Sequence, residues 1–240
     1  MIREELRDRV TWLTFDRPER LNAFTADDYV SLRERVERIA GDDGVRAVVL
    51  TGHGRAFSAG ADRSLVDGTA SERERELAAI EFPALLGALE ACSKPILAAV
   101  NGLAVGFGAT VLLYCDLVLM AESARLRLPF TSLGIVPEAG SSALLPARAR
   151  GSDAVWAMLS SEWIDAPGAL AMGFAWRIVP DDDLGDATQQ AAAAIAAHDP
   201  AAVAATKRLL TAGRAEIARA AIEREYAAMQ ALTGKLSPPA

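Results

Sequence analysis

The apolar stretch VNGLAVGFGATVLLYCD, residues 100–116, constrains the fold of this chain more than any other segment. A short apolar run typical of a buried strand leads into it, and three glycines follow, at Gly102, Gly106 and Gly108. Glycine permits a tight turn, and it lets another backbone or a ligand approach where a Cβ would obstruct it. We therefore predict a buried strand, a close turn and then a helix over 107–114.

A second segment, AFSAGAD at residues 56–62, follows the same logic. It comes after the β-branched run 45–52, and it carries Gly60 at the turn. Two backbone N–H groups aimed at one oxygen would form an oxyanion hole, and free N–H groups at a helix start favour an anion. Either segment alone is equally consistent with an ordinary strand-to-loop turn. The glycine spacing does not match a dinucleotide-binding fingerprint.

Strand-like and helix-like patterns alternate along the first 150 residues, which predicts an α/β protein. Thr25 is placed to cap one of the helices. From about residue 150 onward the pattern predicts helices, including an Ala-rich series over 184–232. The predicted strands are 9–16, 45–52, 95–100 and 115–121, and the predicted helices are 26–40, 71–92 and 107–114.

Composition excludes some classes of function. The 240 residues carry a net charge of −7, which argues against a nucleic-acid partner, since phosphate binding needs a basic face. Cys92 and Cys115 lie in apolar surroundings and are predicted to be buried free thiols rather than a disulfide or a metal site. The N-terminus has no apolar signal core, and Asn101 and Asp116 interrupt the longest apolar region. We expect a soluble, cytoplasmic protein with no membrane partner.

Four ordered segments together resemble the enoyl-CoA hydratase/isomerase (crotonase) superfamily; they are FDRPERLNAFT (15–25), VVLTGHGRAFSAGAD (48–62), KPILAAVNGLAVGFGATVLLYCDLVLMAESARLRLPF (94–130) and LGIVPEAGSSALLP (133–146). The resemblance implies a spiral of ββα turns over 1–190. It also implies a C-terminal helical region, 191–240, that serves oligomerisation and closure of the acyl-CoA pocket. The implied substrate is an acyl-CoA thioester, with coenzyme A as part of that substrate, no separate cofactor and no metal. A homotrimer or a dimer of trimers is the implied assembly.

The resemblance also assigns site residues. The two oxyanion donors are backbone N–H groups, here those of Ala61 and Phe107. Because only the N–H is used, the Phe107 side chain need not abolish the hole, although it affects the shape of the pocket. Neighbouring positions of the same two loops are implied to contact the substrate, namely Ala59, Gly60, Asp62, Gly106 and Gly108.

Three further positions distinguish the reactions of this superfamily. In the hydratases that this chain resembles, two glutamates activate water. The corresponding positions here are Thr110 and Phe130, which we assign to the substrate pocket. Hydration by two glutamates is therefore not expected. GIVPEAGSS places Glu138 where it resembles the catalytic glutamate of peroxisomal-type Δ3,Δ2-enoyl-CoA isomerases. A single base that reaches both C2 and C4 can move a double bond, and burial would raise its pKa.

Alternatives stay open at this point. Glu138 could cap the next turn or face solvent, and the chain could perform another crotonase reaction, either hydration or thioester hydrolysis. It could also be a non-catalytic acyl-CoA-binding protein. Ser141 and Ser142 are predicted to be helix N-cap residues rather than nucleophiles, because no histidine is near them in sequence. Lys207 is predicted to lie on a solvated helix face.

Overall fold

The computed structural model describes residues 1–233, which form two β-sheets with helices packed around them. The strands are β1 (Ile2–Arg7), β2 (Val10–Phe15), β3 (Ala47–Gly52), β4 (Ala56–Ser58), β5 (Ile96–Val100), β6 (Leu103–Val105), β7 (Leu117–Ala121), β8 (Arg125–Arg127), β9 (Ile164–Asp165) and β10 (Arg177–Val179). The α-helices are α1 (Ala26–Ala40), α2 (Arg63–Asp67), α3 (Glu72–Ala91), α4 (Phe107–Thr110), α5 (Ser141–Arg148), α6 (Gly151–Ser160), α7 (Ala166–Ala171), α8 (Leu184–Ala196), α9 (Pro200–Leu210) and α10 (Arg214–Thr233).

The larger sheet has the strand order β1-β2-β3-β5-β7-β10, and its strands are parallel except for the antiparallel β1. The smaller sheet has the order β4-β6-β8-β9, with only β9 antiparallel. The pairs β3–β4, β5–β6 and β7–β8 each place their first strand in the larger sheet and their second in the smaller one. This repetition is a spiral, so the α/β prediction and the spiral prediction are confirmed.

The central strands of the larger sheet are buried because helices cover them. The residues of β5 are all buried, as are four of the five in β7, and both strands are continuous apolar runs. Such runs are expected of parallel strands that are covered on both faces. Helix α8 packs on β2, β3, β5 and β7, and α1 packs on α3.

Helix starts follow local signals. Thr25 caps α1 by accepting the Asp28 N–H, and the Asp28 side chain accepts the Thr25 N–H in return. The predicted cap and the predicted helix 26–40 are thus confirmed. Ser71 and Glu74 form the same reciprocal arrangement at the start of α3. Each such cap satisfies N–H groups that have no partner within the helix.

Short elements depart from the prediction. The segment 56–62 begins with strand β4, and the predicted helix 107–114 is four α-helical residues followed by a 3-10 helix over Val111–Tyr114. Beyond residue 150 the chain is not purely helical, because β9 and β10 add to the two sheets. These strands have only two and three residues, too few to show an alternating pattern.

The predicted division of the chain between 190 and 191 lies within helix α8. No observation on the described residues tests that division, so it stays a prediction. The part of the C-terminal region that covers 234–240 lies outside the described residues.

The predicted solvated position of Lys207 is wrong. Lys207 is buried on α9, its Nζ lies 2.8 Å from Asp116 Oδ2, and it donates to the Lys94 carbonyl at 2.8 Å. Asp116 in turn accepts the N–H of Ile96 at the start of β5. The lysine therefore fastens α9 to the larger sheet. The two cysteines are buried free thiols, as predicted.

Replacing Lys207 with methionine is expected to lower the free energy of unfolding by about 3 kcal/mol, because the Asp116 carboxylate loses its buried cation. Urea denaturation at neutral pH measures the change. The matched control is Arg208→Met, since Arg208 is the exposed neighbour on the same helix. Equal stabilities of the two variants would contradict a stabilising role for the ion pair.

Candidate active site

The site forms at one edge of the smaller sheet. Strands β4, β6 and β8 are parallel neighbours, so their carboxyl ends meet at the same edge. The segment 59–62 follows β4, Gly106 and Phe107 follow β6, and Phe130 follows β8. Three segments that are far apart in sequence are thereby brought together.

A cavity of about 590 Å³ opens at this edge. Of the predicted site residues, it is lined by Ala59, Ala61, Gly106, Phe107, Phe130 and Glu138. The other predicted residues, Gly60, Asp62, Gly108 and Thr110, are not among its lining residues. The remaining wall is apolar and aromatic, with Tyr29, Phe82 and Met229 among its members.

The Ala61 N–H has no hydrogen-bond partner among the described residues. A parallel bridge joins Phe24 and Ala61, in which the Phe24 N–H donates to the Gly60 carbonyl and the Asp62 N–H donates to the Phe24 carbonyl, each at 2.7 Å. These two hydrogen bonds do not use the N–H of Ala61. By contrast, the Ala59 N–H is used by the fold, since it donates to the Leu21 carbonyl at 2.9 Å.

The Phe107 N–H also has no hydrogen-bond partner within residues 1–233, because Phe107 is the first residue of α4. Gly106 before it has φ 53° and ψ −122°, a conformation that favours glycine. The two loops touch, since a Cβ built on Gly60 would lie 3.2 Å from the Phe107 nitrogen. The N–H groups of Ala61 and Phe107 thus line one cavity from adjacent loops, an arrangement that can hold one carbonyl oxygen.

The Phe107 ring is part of the cavity wall. Its centroid lies 5.0 Å from those of Phe24 and Phe82 and 5.5 Å from that of Tyr29, with edge-to-face geometry in each case. Edge-to-face contacts are the favourable arrangement for aromatic rings. The side chain is therefore accommodated by an aromatic cluster made of Phe24, Tyr29 on α1 and Phe82 on α3.

Asp62 supports the loop from outside the cavity. Its carboxylate caps α2 by accepting the Ser64 N–H at 3.1 Å, and it pairs with Arg17. Burial acts to raise the pKa of Asp62, but the hydrogen bonds from Ser64 and Arg17 outweigh it and lower that pKa. Asp62 therefore orders the loop, while its predicted contact with the substrate stays a prediction.

Glu138 lines the cavity and is hydrogen-bonded to Thr110, which does not line it. The fully buried Thr110 donates from Oγ1 to Glu138 Oε1 at 2.6 Å. Burial raises the pKa of Glu138 from its ordinary 4.5 to about 8; the Thr110 hydrogen bond acts in the opposite direction, and the negative charge of Glu225 adds to the rise. The Glu138 side chain is therefore bonded to Thr110 rather than to the next turn, and it lines the cavity as a half-buried group. A carboxyl with this pKa at a cavity wall is poised for proton transfer near neutral pH.

The turn that carries Glu138 is unusual. Ala139 has φ 59°, and its carbonyl accepts the Tyr114 hydroxyl at 2.8 Å. The left-handed region costs a residue other than glycine free energy, and such conformations persist only where the surroundings hold them. Helix α5 then begins, with Gly140 at its N-cap position.

Ser141 and Ser142 are not N-cap residues, which corrects the prediction. The carboxylate of Glu225 on α10 accepts the N–H groups of Gly140 and Ser142, both at 2.8 Å. A side chain more than eighty residues away thus supplies the cap that the prediction assigned to Ser141 and Ser142. Local sequence carries no signal for this contact.

Asn22 is a structural residue near the site that the sequence pattern did not identify. Its backbone has φ 57°, and its Nδ2 donates to the carbonyls of His53 and Ala56 at 2.9 and 2.7 Å. The Asn22 carbonyl accepts the Ser58 hydroxyl. Asn22 therefore ties the N-terminal segment to the strand before Ala61. Asparagine in a left-handed turn is a recognisable local signal, but its long-range partners are not.

The raised pKa of Glu138 predicts a pH-dependent stability. Between pH 4.5 and about 8 the folded protein retains a proton that the unfolded chain has released, so this group makes folding less favourable as pH rises through that window. Glu138→Gln removes the effect. The variant should gain stability over the wild type between pH 5 and pH 8.5, by up to about 4 kcal/mol, in urea denaturation at the two pH values. A pH-independent difference would contradict the raised pKa.

Comparison with known proteins agrees with this architecture. A family model described as enoyl-CoA hydratase/isomerase matches residues 5–236. The chain belongs to the enoyl-CoA hydratase/isomerase family. It is 39% identical over 213 residues to a probable enoyl-CoA hydratase of Rhodobacter capsulatus, covering 88% of this chain and 81% of that protein. It is 37% identical over 186 residues to the 1,2-epoxyphenylacetyl-CoA isomerase of Escherichia coli, covering 76% and 71%.

A solved structure of this family, an enoyl-CoA hydratase/isomerase from Pseudoalteromonas atlantica, superposes with a TM-score of 0.90 at 37% sequence identity. The superposition covers 97% of this chain and 91% of the other. The crotonase fold is thereby established. Within residues 1–233, no helix has the length and apolar character needed to cross a membrane.

Proposed function

We propose that this chain is a Δ3,Δ2-enoyl-CoA isomerase in which Glu138 is the base and the N–H groups of Ala61 and Phe107 form the oxyanion hole. The observation that carries the proposal is the composition of the cavity. Among the described residues, it is lined by one carboxyl group, that of the half-buried Glu138 with its raised pKa, and by Ala61 and Phe107, whose N–H groups have no hydrogen-bond partner within residues 1–233. One base and one oxyanion hole suffice for this isomerisation.

The reaction proceeds in two proton transfers. Ionised Glu138 takes a proton from C2 of a 3-enoyl thioester, and the electron pair moves towards the thioester oxygen to give a dienolate. The N–H groups of Ala61 and Phe107 hold that oxygen while negative charge develops on it. Glu138 then returns the proton to C4, which leaves the double bond between C2 and C3. No atom is gained or lost overall.

The surroundings of Glu138 suit this role. A pKa near 8 makes the carboxylate a stronger base than an exposed glutamate, while a useful fraction is still ionised at neutral pH. The Thr110 hydroxyl holds one carboxyl oxygen, so the other is available to the substrate. The aromatic wall formed by Tyr29, Phe82 and Phe107 limits water around the dienolate.

Hydration is the second candidate, and the names of relatives favour it. One is the probable hydratase already described, and another is the 2,3-dehydroadipyl-CoA hydratase of Escherichia coli, 36% identical over 207 residues and covering 85% of this chain and 79% of that protein. In a hydration, Glu138 would activate water for attack on C3 of a 2-enoyl thioester. With Thr110 and Phe130 in place of carboxylates, Glu138 would have to serve as both base and acid.

The test of the proposal is a direct spectroscopic assay of the purified protein with short and medium 3-enoyl-CoA esters. Isomerisation produces a conjugated 2-enoyl thioester, whose absorbance rises with time. Titration calorimetry with the same esters gives their Kd separately. Binding of the esters without conversion at any chain length would refute the isomerase and leave either a hydratase or a non-catalytic acyl-CoA-binding protein.

A further inference from the structure

The last helix, α10, contacts the turn that carries Glu138. Glu225 on this helix is buried, and each of its carboxylate oxygens accepts one backbone N–H, from Gly140 and from Ser142, at 2.8 Å. We propose that Glu225 is a positioning residue for Glu138: its carboxylate holds the turn that presents Glu138 to the cavity. This proposal rests on the proposed function, in which Glu138 is the base.

The geometry gives Glu225 a specific task. The turn is held at three places: Thr110 binds the Glu138 carboxyl, Tyr114 binds the Ala139 carbonyl, and Glu225 binds the start of α5. Two consecutive residues of the turn, Ala139 and Gly140, have positive φ angles of 59° and 69°. A conformation of this kind persists only when its surroundings hold it, and Glu225 supplies the hold that comes from α10.

Electrostatics adds a second effect. The ionisable groups that interact with Glu138 come from three elements: Glu225 on α10, Tyr29 on α1 and Tyr114 on the 3-10 helix. Burial raises the pKa values of both tyrosines, so these hydroxyls stay neutral in the working range. Glu225 is therefore the negative charge that opposes ionisation of Glu138.

The same helix also reaches the substrate side. Met229 lies four residues after Glu225, hence on the same face of α10, and it lines the cavity. One helix face therefore contacts both the turn of the base and the wall of the cavity. A displacement of α10 would therefore disturb both the position of Glu138 and the wall of the cavity.

The test replaces Glu225 with glutamine, which keeps the shape of the side chain but removes its charge and one of its two acceptors. The matched control is Glu223→Gln, the same change at an exposed position of α10. In Glu225→Gln we expect hydrogen–deuterium exchange at the Gly140 and Ser142 amides to accelerate at least about tenfold. We expect kcat to fall roughly 10- to 100-fold with KM changed less than about threefold, because the base is displaced and binding is not.

A pH profile separates positioning from mere structural support. Removal of the Glu225 charge should move the acid limb of the kcat/KM profile to lower pH by roughly half to one pH unit. Glu223→Gln should leave both the amide exchange and the profile unchanged. A Glu225→Gln variant with wild-type exchange and a wild-type acid limb would overturn the proposal.

The outcome can be separated from failure of the isomerase itself. If the wild type converts no 3-enoyl ester, amide exchange still tests the hold on the turn, and infrared titration of the Glu138 carboxyl, assigned with Glu138→Gln, still tests the electrostatic effect. If Glu225→Gln does not fold, Glu225→Asp keeps the charge and shortens the reach. That variant should accelerate exchange while leaving the titration of Glu138 in place, and no change in exchange would again overturn the proposal.

Discussion

Replacing Glu138 with glutamine is expected to lower kcat for the isomerisation of 3-enoyl-CoA esters about 10³-fold. Glutamine has the shape of glutamate and can still accept the Thr110 hydrogen bond, but it cannot take a proton from C2. General acid–base catalysis typically contributes 10²- to 10⁴-fold, and here both proton transfers depend on one group. The rise in conjugated-thioester absorbance measures the rate, and calorimetry should show CoA-ester binding within about threefold of wild type.

The control for this prediction is Glu162→Gln, which removes the same charge at an exposed surface position. It should retain wild-type kcat. A Glu138→Gln variant whose kcat stays within tenfold of wild type would show that another group removes the proton.

Gly108→Ala is expected to have the next largest effect, a loss in kcat of about 10²- to 10³-fold, comparable to removal of one oxyanion donor in other enzymes. A Cβ at Gly108 would lie 2.2 Å from the Ser58 carbonyl oxygen, so the start of α4 and the end of β4 must move apart. Ala61 lies in the loop that follows β4, and Phe107 is the first residue of α4. Their N–H groups would therefore no longer converge on one oxygen. Steady-state kinetics with the 3-enoyl ester measures the loss.

The matched substitution is Gly87→Ala on α3, where a Cβ has no neighbour within 4 Å. That variant should keep wild-type kcat and become slightly more stable, since alanine is favoured over glycine in a helix. Circular dichroism checks that Gly108→Ala is folded. A folded Gly108→Ala protein with wild-type kcat would contradict the role assigned to the two N–H groups.

Features that depend on neighbouring residues were predictable from sequence. The cap of α1 needs only Thr25 and Asp28, three residues apart, and the buried strands β3, β5 and β7 are apolar runs with glycine or polar residues at their ends. The order of these strands and helices predicted the α/β class. The spiral came from the resemblance to the crotonase superfamily, which the comparisons confirm.

The candidate site was predictable in part. The resemblance selected Ala61, Phe107 and Glu138, and the structure brings all three to one cavity. Their catalytic roles stay predictions, as does the likeness to peroxisomal-type isomerases. Thr110 was assigned to the substrate, whereas its hydroxyl contacts Glu138.

Contacts between distant segments were not predictable. Lys207 pairs with Asp116, and Glu225 caps α5. In each case the two partners are far apart in sequence. A lone lysine or glutamate on a helix is most often solvated, so the local pattern favoured the wrong environment. Trimeric assembly, which the resemblance implies, stays a prediction.

The most direct test of the account compares two substrates of the same chain length on the same protein preparation. One is a 3-enoyl-CoA ester and the other is the conjugated 2-enoyl-CoA ester, and the absorbance of the conjugated thioester is followed in both. With the 3-enoyl ester, we predict that the absorbance of the conjugated thioester rises. With the 2-enoyl ester, we predict that mass spectrometry finds no hydrated product formed by the enzyme. Rapid hydration of the 2-enoyl ester without conversion of the 3-enoyl ester would contradict these predictions and identify the protein as a hydratase.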